Sequence, residues 1–304
     1  MTRNRITDTA PELAPLLDSW RIDLEAAHKS PATVRTYLAS ARQYLAWCAS
    51  TGRPGTLDRR GAAGFTASLL AGGSEPATAN VRHRALRRLG AWLAAEGEAD
   101  RNPLEGMPPP KLDSKRVPKL TDDELRALIA ACAGKRLCDR RDEAIVRLAS
   151  EALCRAEELL SLTVDDVDLR RGIAVIRRGK GGKARIVPFG PQTARAIDRY
   201  LRLRRSHPRA AGPALWLGHA GKAFGYSGLY VALKRRAGRA GITGFHPHRL
   251  RHTGASRWLA AGGSEGGLMA VAGWSSRDMI TRYTEDTAME RAADESRRLA
   301  LGDL

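Results

Sequence analysis

Apolar residues recur at three- and four-residue steps through much of residues 13–95, a helical period with no convincing strand among them. Ser30-Pro31 opens one helix, with a serine cap and proline at the first helical position, and Val34, Tyr37, Leu38, Ala41, Leu45 and Cys48 then share a face. A second helix is predicted from about Thr78 through Val81, Leu86, Leu89, Trp92 and Leu93. The pattern breaks over residues 102–119, where Pro103, Pro108, Pro109, Pro110 and Pro118 resist helix and sheet alike. Thr121-Asp122-Asp123-Glu124 then supplies a capping box ahead of Leu125 and Leu128, the signature of a new helix and a new domain. Further on the period shortens. Two β-prone runs, residues 173–176 and 184–187, flank a glycine-rich turn and predict a hairpin. Helices return near residues 193–204, 226–240, 248–261, 268–273 and from 276 to the C-terminus. The predicted fold is mainly α with a small β-sheet (α+β), divided into a helical N-terminal domain over 1–107, a Pro/Lys-rich linker over 108–120 and a second domain over 121–304.

Charge adds a partner to this picture. The chain of 304 residues carries a net charge of +18, which favours a polyanion through its field and through release of condensed counterions, so nucleic acid is the expected partner. Residues 1–110 hold +3 of that surplus and residues 111–304 hold +15. Arginine far outnumbers lysine, which suits phosphate recognition, although a GC-rich genome produces the same bias. Within the helix that starts near Thr78, Arg82, Arg84, Arg87 and Arg88 are either contacts to a phosphate backbone or an ordinary solvated face. No apolar run is long enough to cross a membrane and the N-terminus lacks a signal-peptide core, so a cytoplasmic protein is expected. Cys48, Cys132, Cys138 and Cys154 show neither paired CxxC spacing nor grouping with histidine, and read as reduced thiols.

Three segments concentrate side chains capable of chemistry. His246-Pro247-His248-Arg249-Leu250-Arg251-His252 looks like a helix start with Pro247 at its first position; helix N-termini favour anions, and an imidazole and a guanidinium one turn apart can meet one phosphate. His246 with Arg249 and His248 with Arg251 have the same spacing, and proline at the first position favours the later pair. A metal site is the rival reading, without an HExxH pattern or a second ligand cluster to support it. Arg155 and Glu158 lie one turn apart, also the spacing of a common ion pair. Lys180 stands at the tip of the glycine-rich turn, which lacks the spacing and the Ser/Thr of a Walker A loop.

Taken in order, these residues closely resemble the tyrosine recombinase (phage integrase) family. The first arginine box matches Leu153-Cys154-Arg155-Ala156-Glu157-Glu158-Leu159 and the hairpin lysine matches Gly179-Lys180-Gly181-Gly182-Lys183-Ala184-Arg185. The second arginine box matches Pro247-His248-Arg249-Leu250-Arg251-His252-Thr253, and the last box Ala272-Gly273-Trp274-Ser275-Ser276 is followed nine residues after Trp274 by Tyr283. Trp274 stands where most members have histidine, and Ala156-Glu157 where a larger apolar and a small polar residue are usual. The resemblance implies a helical core-binding N-terminal domain, a catalytic domain ending in an exchange helix, and a catalytic set of Arg155, Lys180, His248, Arg251, Trp274 and Tyr283. Glu158 and His252 are implied to orient that set, while Arg82, Arg84, Arg87, Arg88, Lys183 and Arg185 are expected against DNA. It also implies cleavage of duplex DNA through a 3′-phosphotyrosyl link and a Holliday junction, with no metal and no nucleotide cofactor, by a protein that is a homotetramer on DNA and a monomer when free. A type IB topoisomerase-like relaxing enzyme and a DNA-binding protein that no longer cuts are the rival readings. The complete residue set argues against the second, and the separate helical domain with its C-terminal tail favours strand exchange over relaxation.

Overall fold

The computed structural model describes residues 11–111, 118–177, 184–219, 221–276, 279–280 and 288–299. The chain forms two compact units, Met1–Lys115 and Arg116–Leu304, whose boundary falls inside the proline- and lysine-rich segment.

The first unit is helical throughout its described residues: α1 (Leu17–Ala26), α2 (Pro31–Ser50), α3 (Arg59–Ala71) and α4 (Pro76–Ala95), preceded by a short 3₁₀ turn at Ala14–Leu16. Ser30 caps α2 by accepting the Thr33 amide at 3.2 Å, and Asp58 caps α3 by accepting the Gly61 amide at 2.7 Å, so each helix start satisfies an amide it would otherwise leave open. Trp20, Leu24, Leu38, Tyr44, Phe65, Leu86, Leu89 and Leu93 fill the core. Val81 departs from the expected stripe and is exposed, because Ala79 and His83 occupy the core-facing positions of that turn and Val81 lies on the other side of the helix. Arg82 also turns inward, donating from Nη1 to the Ser40 hydroxyl of α2 at 3.0 Å, which leaves Arg84 and Arg88 exposed one turn apart and Arg87 half-buried beside them.

The second unit is built around α6 (Leu137–Glu151), which packs against α5 (Asp122–Ala130), α8 (Pro191–Arg204), α9 (Tyr226–Arg239) and α10 (His248–Ala260). The capping box at the start of α5 forms in both directions, Glu124 amide to Thr121 Oγ1 and Thr121 amide to Glu124 Oε2. The predicted hairpin is present as β2 (Ile173–Ile176) antiparallel to β3 (Arg185–Pro188), with Ala174 opposite Val187. Pairing on the far side of β2 is β1 (Val167–Asp168), which the sequence did not reveal: two residues are too few to display a strand's alternation. Between and after these lie α7 (Ala156–Leu160), α11 (Glu265–Ala272) and α12 (Ala288–Leu299). None of the described helices is long and apolar enough to cross a membrane.

This second unit buries charge. Arg236 is almost wholly enclosed, donating to Asp139 at 2.7 Å, Asp142 at 2.9 Å and the Ala131 carbonyl at 3.0 Å. Arg141 shares Asp142 and lies over the Phe224 ring at 3.8 Å. Such clusters are tolerated in a core only because every charge has close partners.

Candidate active site

The site begins with a backbone irregularity. After α6 ends, Leu153 adopts a left-handed conformation at φ +53°, uncommon for a side chain of its size, and this bend turns the chain so that Arg155 becomes the N-cap of α7. Glu158, one turn into α7, accepts the Arg155 amide at 2.8 Å on one oxygen and Arg155 Nη1 at 2.7 Å on the other. The ion pair that spacing alone would predict is therefore a cap as well.

Helix α10 is pressed against this bend. A Cβ on Gly254 would collide with the Ser150 carbonyl and the Leu153 side chain, so only glycine allows α10 to cross α6 this closely. One turn earlier, Arg251 is thereby set behind Leu153, donating to the Leu153 carbonyl from Nη1 and to the Ala272 carbonyl from Nη2 at 2.6 Å. His248 is the first residue of α10; Pro247 stands one position earlier than expected, at the N-cap, and His246 lies outside the helix. The alternative pair is separated by function: Arg249 is a structural tie, donating to the Pro118 carbonyl at 2.8 Å and the Thr243 carbonyl at 2.9 Å.

The His248 ring meets the His252 ring edge-on with centroids 4.5 Å apart. Its pKa is pushed below the usual imidazole value, first by burial and then by the neighbouring Arg251, His246 and Arg155, so at neutral pH the ring is uncharged and able to accept a proton.

Helix α11 brings up the last box. Gly273 ends it in the left-handed conformation at φ +63°, with the Trp274 amide returning to the Met269 carbonyl at 3.0 Å. Trp274 is buried, and Arg251 Cζ lies 5.4 Å from its ring centroid. Arg155 Nη2 donates to the Gly273 carbonyl at 3.4 Å. Arg155, His248, Arg251 and Trp274, spread over some 120 residues of sequence, are thus drawn to one place by three helix ends. Lys180, Lys183 and Tyr283 lie outside the described residues.

The geometry gives Arg185 a different task from the one expected of it. Its guanidinium does not face outward: Nη1 and Nη2 donate to Glu158 at 3.0 and 2.7 Å and Nε to the Val271 carbonyl at 2.9 Å. Burial alone would raise the Glu158 pKa; bonds from Arg185, then from the Arg155 amide and guanidinium, more than offset it and bring it to about 2. Sequence reasoning did not find this link, since nothing in the run Lys183-Ala184-Arg185 marks which arginine turns inward. Four of the five other tyrosines have structural surroundings: Tyr44 and Tyr200 are buried with their hydroxyls bonded to the Thr56 and Leu215 carbonyls, Tyr37 stacks on Trp20, and Tyr230 lies under Lys234, while Tyr226 is exposed and lines a cavity with His248.

Comparison with known proteins fits this arrangement. Residues 118–290 match the model of the phage integrase family. The tyrosine recombinase XerA of Thermococcus kodakarensis is 32% identical over 279 residues, covering 91% of this chain and 93% of the relative. Among solved structures, the XerH site-specific recombinase in its post-cleavage complex with palindromic difH substrate is 20% identical at a TM-score of 0.71, covering 93% of this chain and 84% of that one. A lambda integrase tetramer bound to a Holliday junction is 17% identical at a TM-score of 0.69, with coverages of 91% and 78%; at these identities the likeness concerns the fold. On the length of the family match and the XerA identity, the chain belongs to the phage integrase family of tyrosine site-specific recombinases.

Proposed function

We propose that this protein cuts and rejoins duplex DNA at a specific site through a 3′-phosphotyrosyl intermediate, with Tyr283 as nucleophile. The observation that carries the reading is the convergence of Arg155, His248, Arg251 and Trp274 at the junction of α7, α10 and α11. A phosphodiester under attack gains charge on its non-bridging oxygens, and two guanidinium forks offset it without requiring a metal or a nucleotide cofactor. A tyrosine phenol titrates near 10, so Tyr283 needs a proton acceptor at neutral pH, and the uncharged His248 fills that role. Trp274 supplies an indole N–H donor and an apolar wall. Lys180 serves as the general acid that protonates the departing 5′-oxygen. His252 holds the His248 ring and Glu158 holds Arg155.

Duplex DNA is the proposed partner of both units. Arg84, Arg88 and Arg87 on α4, together with Lys183, contact its backbone, whereas Arg82 and Arg185 act through the folded protein. Because the phosphotyrosyl bond conserves the energy of the phosphodiester, rejoining to a new strand needs no ATP, and the reading extends to strand exchange by a homotetramer through a Holliday junction. The structurally similar lambda integrase tetramer on such a junction supports this extension. The N-terminal unit is proposed as the core-binding domain and the C-terminal helix α12 as the element exchanged between subunits.

The test is to recover protein covalently linked to DNA from cells, sequence the attached DNA, and rebuild it as a nicked suicide duplex. The wild-type chain forms an adduct on that duplex; Tyr283→Phe binds it and forms none. An adduct of normal yield in Tyr283→Phe would end the assignment. Two-site recombination then separates strand exchange from simple relaxation of supercoils.

A further inference from the structure

The C-terminus of α11 collects three guanidinium groups on three successive carbonyls: Arg185 on Val271 at 2.9 Å, Arg251 on Ala272 at 2.6 Å and Arg155 on Gly273 at 3.4 Å. The two carbonyls before them receive the Gly273 and Trp274 amides, so this helix end is fully satisfied, and its negative dipole end faces three cations. Two of those arginines belong to the set proposed to hold the scissile phosphate. Arg185 does not.

Arg185 is bonded on two sides at once. Both Glu158 oxygens are shared, each receiving one bond from Arg155 and one from Arg185, and the Arg185 side chain is only 11% exposed. Its guanidinium lies flat against the α11 terminus: a Cβ on Gly273 would come within 3.1 to 3.2 Å of its Cζ, Nη1 and Nε, and Gly273 already has the left-handed backbone that glycine adopts without strain. Arg155 therefore reaches the site through a carboxylate that Arg185 fixes and a helix end that Arg185 also fixes. All three of its nitrogens donate inward and the side chain is 11% exposed, so its guanidinium is directed at Glu158 and the α11 terminus.

We propose that Arg185 is a positioning residue of the recombinase, tying β3 to α7 and α11 so that Arg155 is held at the angle the phosphate requires. The proposal rests on the reading of Arg155 as a phosphate contact. A guanidinium displaced by about 1 Å costs on the order of 10²-fold in rate, because the reacting geometry is lost while the binding surface remains.

The experiment measures first-order cleavage of the recovered nicked duplex at saturating protein, with DNA affinity measured separately, for the full chain. R185M is expected to slow cleavage by about 10- to 100-fold with affinity within about twofold of wild type. R185K, which keeps the charge but cannot fork between Glu158 and Val271, is expected to recover part of the rate and to remain about 3- to 10-fold slow. E158Q should also be slow, and R185M/E158Q no slower than the worse single variant within about threefold, since Arg185 acts on Arg155 through Glu158. A wild-type rate in R185M, or lost affinity at an unchanged saturated rate, overturns the proposal. Should R185M not fold, R185K decides alone, a wild-type rate counting against the proposal. R155A runs alongside: normal cleavage there removes the phosphate reading itself, whereas normal cleavage by R185M with R155A inactive removes only the positioning role.

Discussion

The two units of this protein bury different things. Among the described residues, the N-terminal unit closes its core with aliphatic and aromatic side chains and encloses Ser40 and His83, while the second unit encloses ten charged residues, from Asp139 to Arg251. A core of the first kind is specified by packing and tolerates movement of its surface charges. One of the second kind loses stability to desolvation and gains fixed direction, because a buried guanidinium satisfied on every side can point only one way. The arginines follow this division: Arg84 and Arg88 lie exposed on α4, whereas Arg155, Arg185 and Arg251 are clasped by carbonyls and a carboxylate. Equal charge does unequal work. The exposed pair adds attraction toward a polyanion, and the bonded trio adds geometry.

The sharpest test of the contrast is removal of one partner from the buried charge cluster. Arg236→Met leaves Asp142 to Arg141 alone and Asp139 to the exposed Arg136, and is expected to cost about 3–5 kcal/mol of stability, read as a fall in the denaturant midpoint. Arg251→Lys leaves a charge but no fork, and adduct formation on the suicide duplex should fall by about 10²–10³-fold, the cost typical of losing one transition-state donor. Smaller effects belong to the other unit. Arg84→Ala and Arg88→Ala should each lower the salt dependence of DNA binding by about one unit of slope and leave the saturated cleavage rate unchanged; a cleavage defect there would break the comparison.

The weakest expected effect concerns His83, a buried imidazole of the N-terminal unit. Burial first, and then the charge of Arg87, hold its pKa below the ordinary value. The unfolded chain therefore binds the proton more readily, so the stability due to His83 is complete above about pH 6.5 and declines as the pH falls below it. Amide protection in residues 17–95 of the full chain, taken relative to the intrinsic exchange rate at each pH, should fall between pH 7 and 5, and His83→Leu should flatten that trend.

Much of the fold was legible because it rests on local signals. Ser30-Pro31 and the box at Thr121 and Glu124 mark helix starts that hold in three dimensions, and the runs around Val175 and Ile186 pair as expected. β1 was hidden by its brevity. Val81 is exposed because apolarity alone does not say which turn-mates the core takes, and Pro247 stands one residue before its expected place, within the one or two residues by which a helix start commonly shifts. Spacing alone could not separate the pair His248 and Arg251 from its twin; in space Arg249 differs by tying down the Pro118 and Thr243 carbonyls.

By itself the sequence determined the order and kind of the elements, the surplus of positive charge and the boxes that mark the family, since capping, periodicity and composition act between near neighbours. Only the tertiary structure decided which arginines turn inward and what receives them. Their acceptors are backbone carbonyls of Leu153, Val271, Ala272 and Gly273, and a carbonyl is the same in every residue; it becomes a partner only when a left-handed bend or a helix end leaves it open within reach.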